Sequence, residues 1–136
     1  MDLPTGTIIA TGPVIIEDGK VLLNRERKMD GEESPYFMFP GGTVEDFSAP
    51  LEETAIREAK EELGINIEII RPLRTLLVSR PGKNTSAVLV HYLAKRIGEI
   101  VPGPQTIEWD WYDIEHLPEN CAPNIYEIVS DIKNEV

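Results

Sequence analysis

The chain has one cysteine, no long apolar run and few basic residues, and each shortage excludes a class of protein. A single cysteine, Cys121, rules out an internal disulfide. No apolar run approaches the roughly 18 residues that a membrane-spanning helix needs, so we expect no membrane partner. With 13 basic against 24 acidic residues and a net charge of −11, the chain lacks the cationic surface that nucleic-acid binding requires.

The length of the chain and its N-terminal segment indicate the number of domains and the location of the protein. The 136 residues, 41% of them hydrophobic, suit one compact domain over residues 1–136. Residues 1–7 have neither the basic nor the apolar region of a signal peptide, so we expect a cytoplasmic protein. A small anionic substrate is compatible with the negative charge if local cations offset it. The basic residues that could contact such a substrate, or be solvated surface residues instead, are Arg25, Arg27, Lys28 and Arg80.

Strand patterns on both sides of a central helix predict an α/β protein with mixed sheets between helices. The turn Glu17-Asp18-Gly19-Lys20 predicts a hairpin, and the polar stretch 26–34 is a solvated insertion or a lid over a site. A final amphipathic helix runs from Pro123 to about Asn134. The predicted strands cover residues 7–16, 21–25, 65–78 with an interruption at Pro72, 87–96 and 106–112.

The segment 41–65 is the most informative part of the chain, because its helix gathers acids on one face. At about 100° per residue, Glu62 and Glu61 lie within about 60° of Glu58, on either side of it. Like charges one turn apart destabilise a helix by a few tenths of a kcal/mol, and a hard divalent cation would reverse that effect. The same three residues could instead form a solvated acidic face.

The loop before this helix favours a ligand site. The sequence Phe39-Pro40-Gly41-Gly42 follows a short strand-like run that begins at Tyr36. Two adjacent glycines permit positive φ and close approach of backbone atoms to a ligand, although such a loop can also be a plain turn. Pro50 suits the first helical turn and Gly64 suits the C-terminal stop.

The other residue types that often act as nucleophiles or ligands have no such context. Cys121 lies near the start of the last helix and is interpreted as a structural thiol. His91 falls within a predicted strand, which indicates a packed residue, and His116 is interpreted as a surface residue. None of the three enters the predicted site.

Together, the loop and the helix resemble the signature of the Nudix hydrolase family. The run Arg-Glu-Ala-Lys-Glu-Glu-Leu-Gly-Ile over residues 57–65 matches the second half of that signature completely. In the first half, the acidic position falls on Ser48 or Ala49, and the interval from Gly42 to the run is one residue longer than the family pattern. Glu45 could supply a substitute acid. The resemblance covers nearly the whole chain and implies the Nudix fold, with mixed β-sheets sandwiched between helices.

This resemblance implies metal-assisted attack of water on a phosphorus of a diphosphate linkage. The substrate would be a small-molecule nucleotide, namely a nucleoside diphosphate linked to another group, as in a nucleoside triphosphate or ADP-ribose. The cofactor would be Mg²⁺, with Mn²⁺ as an alternative, held by Glu58 and Glu62. Glu61 and the carbonyl of Gly41 are the further candidate ligands.

The resemblance also suggests roles for other residues. Glu58, or Glu108 in the strand at 106–112, would accept the proton from water. Arg57 would orient the glutamates through charge-assisted hydrogen bonds. The candidate catalytic residues are therefore Glu58, Glu61, Arg57 and Glu108, and the candidate substrate-binding residues are Arg25, Arg27, Gly42 and Arg80.

Substrate, turnover and oligomeric state stay open at this point. Pro81 resembles a downstream proline of ADP-ribose-hydrolysing members, but a turn proline is equally natural there. A nucleoside triphosphate or a damaged nucleotide is a comparable substrate. Because the loop acid is missing, the alternative function is a Nudix-fold nucleotide-binding or regulatory module with little or no turnover. A homodimer is an alternative to a monomer.

Overall fold

The computed structural model describes residues 3–80 and 85–135, and its elements alternate as the sequence pattern predicts. The helices are α1 (Leu51–Leu63) and α2 (Pro123–Ile132). The strands are β1 (Ile8–Val14), β2 (Ile16–Glu17), β3 (Lys20–Glu26), β4 (Gly42–Thr43), β5 (Asn66–Pro72), β6 (Leu76–Ser79), β7 (Ser86–Ile97) and β8 (Thr106–Asp113).

The strands form two sheets. A mixed sheet has the order β4-β1-β7-β5, and β6 also pairs with β7. In this sheet β1 runs parallel to β7, whereas the other pairs are antiparallel. The second sheet, β2-β3-β8, is antiparallel. Its first hairpin turns at Asp18 (φ 51°) and Gly19 (φ 76°), and two positive φ angles in a two-residue turn match the right-handed twist of the strands.

Each helix covers one side of the two sheets, which confirms the predicted α/β sandwich. Helix α1 buries Ala55, Ala59 and Leu63, which recur at the helical spacing, against β3, β5 and β7. Helix α2 buries four aliphatic side chains at the same spacing against β1, β3 and β6. No helix in residues 3–80 and 85–135 has the length and apolar character needed to cross a bilayer.

Two local predictions need correction, and a third is confirmed. The run 36–39 forms only isolated bridges, Asn24 to Met38 and Phe37 to Cys121, and is not a continuous strand, because consecutive residues of the run pair with different elements. Pro50 is the N-cap of α1 and not part of its first turn. Gly64 ends the helix in the left-handed conformation (φ 68°), as predicted. The sequence Arg80-Pro81-Gly82-Lys83-Asn84 also predicts a turn, which lies mostly outside the described residues.

Candidate active site

Four glutamates from two elements line one cleft of about 350 Å³. Glu58, Glu61 and Glu62 come from the acidic face of α1, which lies at the border of its packed face. Glu26 is the last residue of β3, and the two-residue period of a strand places it on the same face as the buried Asn24. The remaining residues that line the cleft are Arg27, Lys28, Met29, Pro104 and Gln105.

Glu62 is the most buried of these acids, with 6% of its surface exposed. Its Oε1 accepts a hydrogen bond from Asn24 Nδ2 at 2.9 Å, and the backbone N–H of Gly41 donates to both carboxylate oxygens at 3.3 and 3.2 Å. Burial, followed by the adjacent Glu26 and Glu58 carboxyls, raises the pKa of Glu62 well above its usual range, against a lowering by Asn24. The carboxylate form is therefore disfavoured unless a cation joins it.

Glu58 lies directly over Gly42. A Cβ at position 42 would be 2.6 Å from Cδ of Glu58, so only glycine leaves room for the carboxylate there. Arg57 Nη1 lies 3.2 Å from Glu58 Oε1 and 3.3 Å from Glu61 Oε1. Burial lowers the pKa of Arg57, but the charges of Glu58 and Glu61 outweigh this and raise it. Arg57 thus contacts two of the glutamates, in the position predicted for an orienting residue.

Glu26 was not predicted as a site residue, because the sequence pattern placed it at the start of a polar loop. Its Oε1 is buried and has no hydrogen-bond partner. Burial raises the pKa of Glu26, a hydrogen bond with Glu62 lowers it, and the charges of Glu58 and Glu61 raise it further. The signal that could have found Glu26 is its two-residue spacing from Asn24, a polar residue in a strand that is otherwise apolar.

The loop before the site is held against β1 by close backbone contact. A Cβ on Gly41 (φ 156°) would lie 2.5 Å from the carbonyl oxygen of Thr11. A Cβ on Gly12 would overlap the carbonyl oxygen of Pro40. The two glycines let the loop and β1 approach each other this closely. The contact fixes the position of the Gly41 N–H, which donates to Glu62.

Two predicted residues lie on the other face of the second sheet. Arg25 and Glu108 are register partners on β3 and β8, joined by an ion pair of 2.8 Å between Nε and Oε1. Arg25 also donates to the carbonyl of Ser34 at 2.9 Å and lies 5.7 Å from the ring centroid of Phe37, a residue of the α2 core. The structure therefore does not bring Glu108 and Arg25 to the glutamate cleft.

The other basic residues that were predicted to contact substrate lie in different places. Arg27 and Lys28 line the cleft, and Arg27 Nη2 is 3.5 Å from Glu33. Arg80 follows β6, where its N–H bonds to the carbonyl of Thr85, and it does not line this cleft. Pro81, the residue that bears on an ADP-ribose-like substrate, lies outside the described residues.

The loop that lacks the family's acid contains a local turn. Both the N–H and the hydroxyl of Ser48 bond to Asp46 Oδ1, at 2.9 and 2.6 Å. These bonds lower the pKa of Asp46. Glu45 is exposed, and its charge contributes to the raised pKa of Arg57. Glu45 is thus close enough to influence the charged face of α1.

The histidines and the cysteine lie outside the cleft. His91 is buried in β7, where its Nδ1 is 2.9 Å from the carbonyl of Arg74 and its Nε2 is 3.0 Å from Asn124 Nδ2. His116 is exposed on the surface. Cys121 is buried, and burial raises the pKa of its thiol, which argues against a nucleophile.

The donor chemistry of the cleft suits a hard divalent cation. Carboxylates are the preferred ligands of Mg²⁺, and one of the four here has a buried oxygen with no partner. Within residues 3–80 and 85–135, however, no three acidic, histidine or cysteine side chains are already arranged as a metal-binding group. Glu62 is turned onto Asn24 and Gly41, and Glu58 onto Arg57. Binding a cation would therefore require rotation of these side chains.

Comparison with known proteins gives a consistent result. A MutT NUDIX hydrolase from Burkholderia pseudomallei is 23% identical, with a TM-score of 0.80 over 93% of this chain and 98% of that chain. A MutT protein from Methanosarcina mazei Go1 is 20% identical, with a TM-score of 0.82 over 98% of both chains. An ADP-ribose pyrophosphatase from Streptococcus suis 89-1591 is 22% identical, with a TM-score of 0.68 over 94% and 90%.

At these identities the structural matches show the fold alone, and they confirm the predicted Nudix fold. The sequence match is more specific, because the model of the NUDIX domain matches residues 7–132. Enzymes of this kind generally use divalent metals and act on small-molecule nucleotides. The chain belongs to the Nudix hydrolase family and is a Nudix-type pyrophosphohydrolase.

Proposed function

We propose that this protein hydrolyses a diphosphate linkage in a nucleoside diphosphate joined to another group, and that its activity depends on Mg²⁺. The observation that carries the proposal is the convergence of Glu58, Glu61 and Glu62 on one cleft beside the Gly41-Gly42 loop. The structural relatives include MutT hydrolases and an ADP-ribose pyrophosphatase, so a nucleoside triphosphate and ADP-ribose are both candidate substrates.

Glu58 and Glu62 would hold the cation, with Glu61 and the Gly41 carbonyl as further ligands. When bound, Mg²⁺, or Mn²⁺ in its place, would offset the negative charge that develops on the phosphoryl group and orient the diphosphate. Without a cation, Asn24 and the Gly41 N–H bind the Glu62 carboxylate, and Glu62 would exchange part of these contacts for the metal.

The remaining steps fall to side chains around the cleft. Glu58, whose side chain is 16% exposed, would accept the proton of the attacking water. Arg57 would keep Glu58 and Glu61 in place through its contacts with both. Arg27 and Lys28, at the rim, would contact phosphate oxygens and counter the overall charge of −11.

A panel of nucleoside triphosphates, damaged nucleotides and ADP-ribose tests this function, with release of pyrophosphate, phosphate or AMP measured with and without Mg²⁺. We expect Mg²⁺-dependent turnover of at least one compound and a loss of roughly 100-fold or more in Glu62→Gln. Glu53→Gln is the matched control, because Glu53 is exposed on the same helix. Turnover of Glu62→Gln at the control rate would contradict the proposed role of Glu62.

The same panel decides between an enzyme and a binding module. A module without turnover would raise its melting temperature with a nucleotide yet release no product. Sedimentation of the purified protein at several concentrations would decide between a monomer and a homodimer. A cytoplasmic location, expected from the N-terminal segment, is tested by fractionating cells that express the protein.

A further inference from the structure

We infer that Glu26 is an additional ligand for the divalent cation, supplied by β3 from across the cleft. This inference rests on the proposed function, since it assigns a further residue to the same site. It concerns a strand residue that the sequence pattern of the helix does not include. Glu26 lines the cleft together with Glu58, Glu61 and Glu62, so a cation there would contact both a strand and a helix.

The first argument is the unsatisfied chemistry of Glu26. Its Oε1 is buried and has no hydrogen-bond partner. In the described part of the chain, no lysine or arginine forms an ion pair with it, and the adjacent Arg27 contacts Glu33 instead. A buried carboxylate oxygen without a partner costs free energy, and here its neighbours are other carboxylates. A cation is the partner that this environment lacks.

The second argument is that the backbone of Glu26 is held firmly. The ladder between β3 and β8 shifts register between Arg25 and Glu26, and such irregularities re-aim side chains beside functional sites. The next residue, Arg27, donates its N–H to the carbonyl of Gln105 at 2.7 Å. Glu26 therefore lies at the paired end of β3 and not in the loop that follows it.

The third argument is the fixed spacing between the strand end and the helix. Thr106, the register partner of Glu26, donates its hydroxyl to the carbonyl of Glu62 at 2.8 Å. The N–H of Gly103 bonds to the same carbonyl at 2.9 Å. These bonds tie the start of β8, and with it its register partner Glu26, to the end of α1 that carries Glu62.

Binding of Mg²⁺ to the purified protein, measured by titration calorimetry and by the Mg²⁺-induced rise in melting temperature, tests the inference. The variant is Glu26→Gln, which keeps the size of the side chain and removes its charge. The matched control is Glu32→Gln, which removes the same charge from an exposed residue of the following loop. We expect the affinity for Mg²⁺ to fall about tenfold or more in Glu26→Gln and to stay near the wild-type value in the control.

A second variant guards against a purely structural effect. Glu26→Asp keeps the carboxylate and should bind Mg²⁺ with an affinity between those of wild type and Glu26→Gln. We also expect metal-free Glu26→Gln to melt no lower than wild type, because the substitution removes repulsion from Glu58 and Glu61. Equal loss of affinity in both variants, or a lower melting temperature of metal-free Glu26→Gln, would overturn the inference.

The outcomes separate this inference from the proposed function. If wild type binds Mg²⁺ and hydrolyses a nucleotide while Glu26→Gln binds Mg²⁺ like the control, only the assignment of Glu26 fails. If wild type shows no saturable binding of Mg²⁺ and no Mg²⁺-dependent turnover, the proposed function and the assignment fail together.

Discussion

The two helices cover opposite sides of the same sheets, but they bury polar groups of different kinds. On the α2 side, Asn124 and His91 bond to each other and to a backbone carbonyl, so the buried groups are neutral and paired. On the α1 side, burial raises the pKa of both the buried Glu62 and the half-buried Glu26, and one oxygen of Glu26 has no partner. A neutral, paired network adds stability, whereas clustered carboxylates reduce it until a cation binds.

This difference indicates that the α2 side of the sandwich mainly stabilises the fold, whereas the α1 side carries the chemically active groups. The α2 core is built from aliphatic side chains that repeat at helical spacing. The α1 core is similar along its centre but ends in the acidic cleft. Substitutions on the α2 side should therefore change the free energy of unfolding, and substitutions at the cleft should change activity.

The largest effect is expected for Ile128→Ala in α2. Ile128 is fully buried, so the substitution leaves a cavity and should lower the free energy of unfolding by about 2–5 kcal/mol. Denaturant unfolding measures this loss, and kcat/KM, corrected for the folded fraction, should not change. A large fall in kcat/KM of the folded protein would contradict the claim that the α2 side affects stability and not activity.

An intermediate effect is expected for Gly42→Ala at the cleft. The new Cβ would displace the Glu58 carboxylate, so kcat/KM should fall about 10- to 100-fold. Gly42 does not have a left-handed backbone conformation, and the free energy of unfolding should change by less than about 1 kcal/mol. Thr43→Ala, at the adjacent exposed residue, is the control. Strong destabilisation with unchanged kcat/KM would contradict this prediction.

The smallest effect concerns the pH dependence of the α2 side. Burial lowers the pKa of His91 below its usual 6.5, so the unfolded chain takes up a proton first as the pH falls. The contribution of neutral His91 to stability is therefore complete above pH 6.5 and is lost as the pH falls from that value through the folded-state pKa. As the pH falls below 6.5, the free energy of unfolding should therefore decrease more for wild type than for His91→Gln.

Unfolding by urea at several pH values measures that difference. His116→Gln is the control, because His116 is 82% exposed and its removal should leave the wild-type pH dependence unchanged. Identical pH profiles for wild type and His91→Gln would show that His91 does not titrate differently in the folded and unfolded states.

Much of the fold was predictable because it follows local periodicity. The apolar positions of α1 and α2 repeat at helical spacing, and the hairpin at Asp18-Gly19 has the residues that its turn requires. The run 36–39 was less predictable, because Phe37 and Phe39 pack in the core while the backbone of the run forms only isolated bridges. The local amino-acid composition does not show which backbone N–H and C=O groups form hydrogen bonds with another strand.

The candidate site was also predictable only in part. The shared face of Glu58, Glu61 and Glu62 follows from positions one turn apart. The position of Glu108 depends on a register, in which it pairs with Arg25 and points away from the cleft. A shift of one residue in that register would place it on the other face, and nothing local in the chain fixes this choice.

The sequence by itself determined the family, the acidic face of α1 and the Gly41-Gly42 loop before it, because these depend on residue type and short-range spacing. Only the tertiary structure decided that Glu26 joins the cleft, that Glu62 is buried and that Glu108 pairs with Arg25 and does not line the cleft. Strand pairing and burial join residues far apart in the chain, and they set the electrostatic cost of each carboxylate.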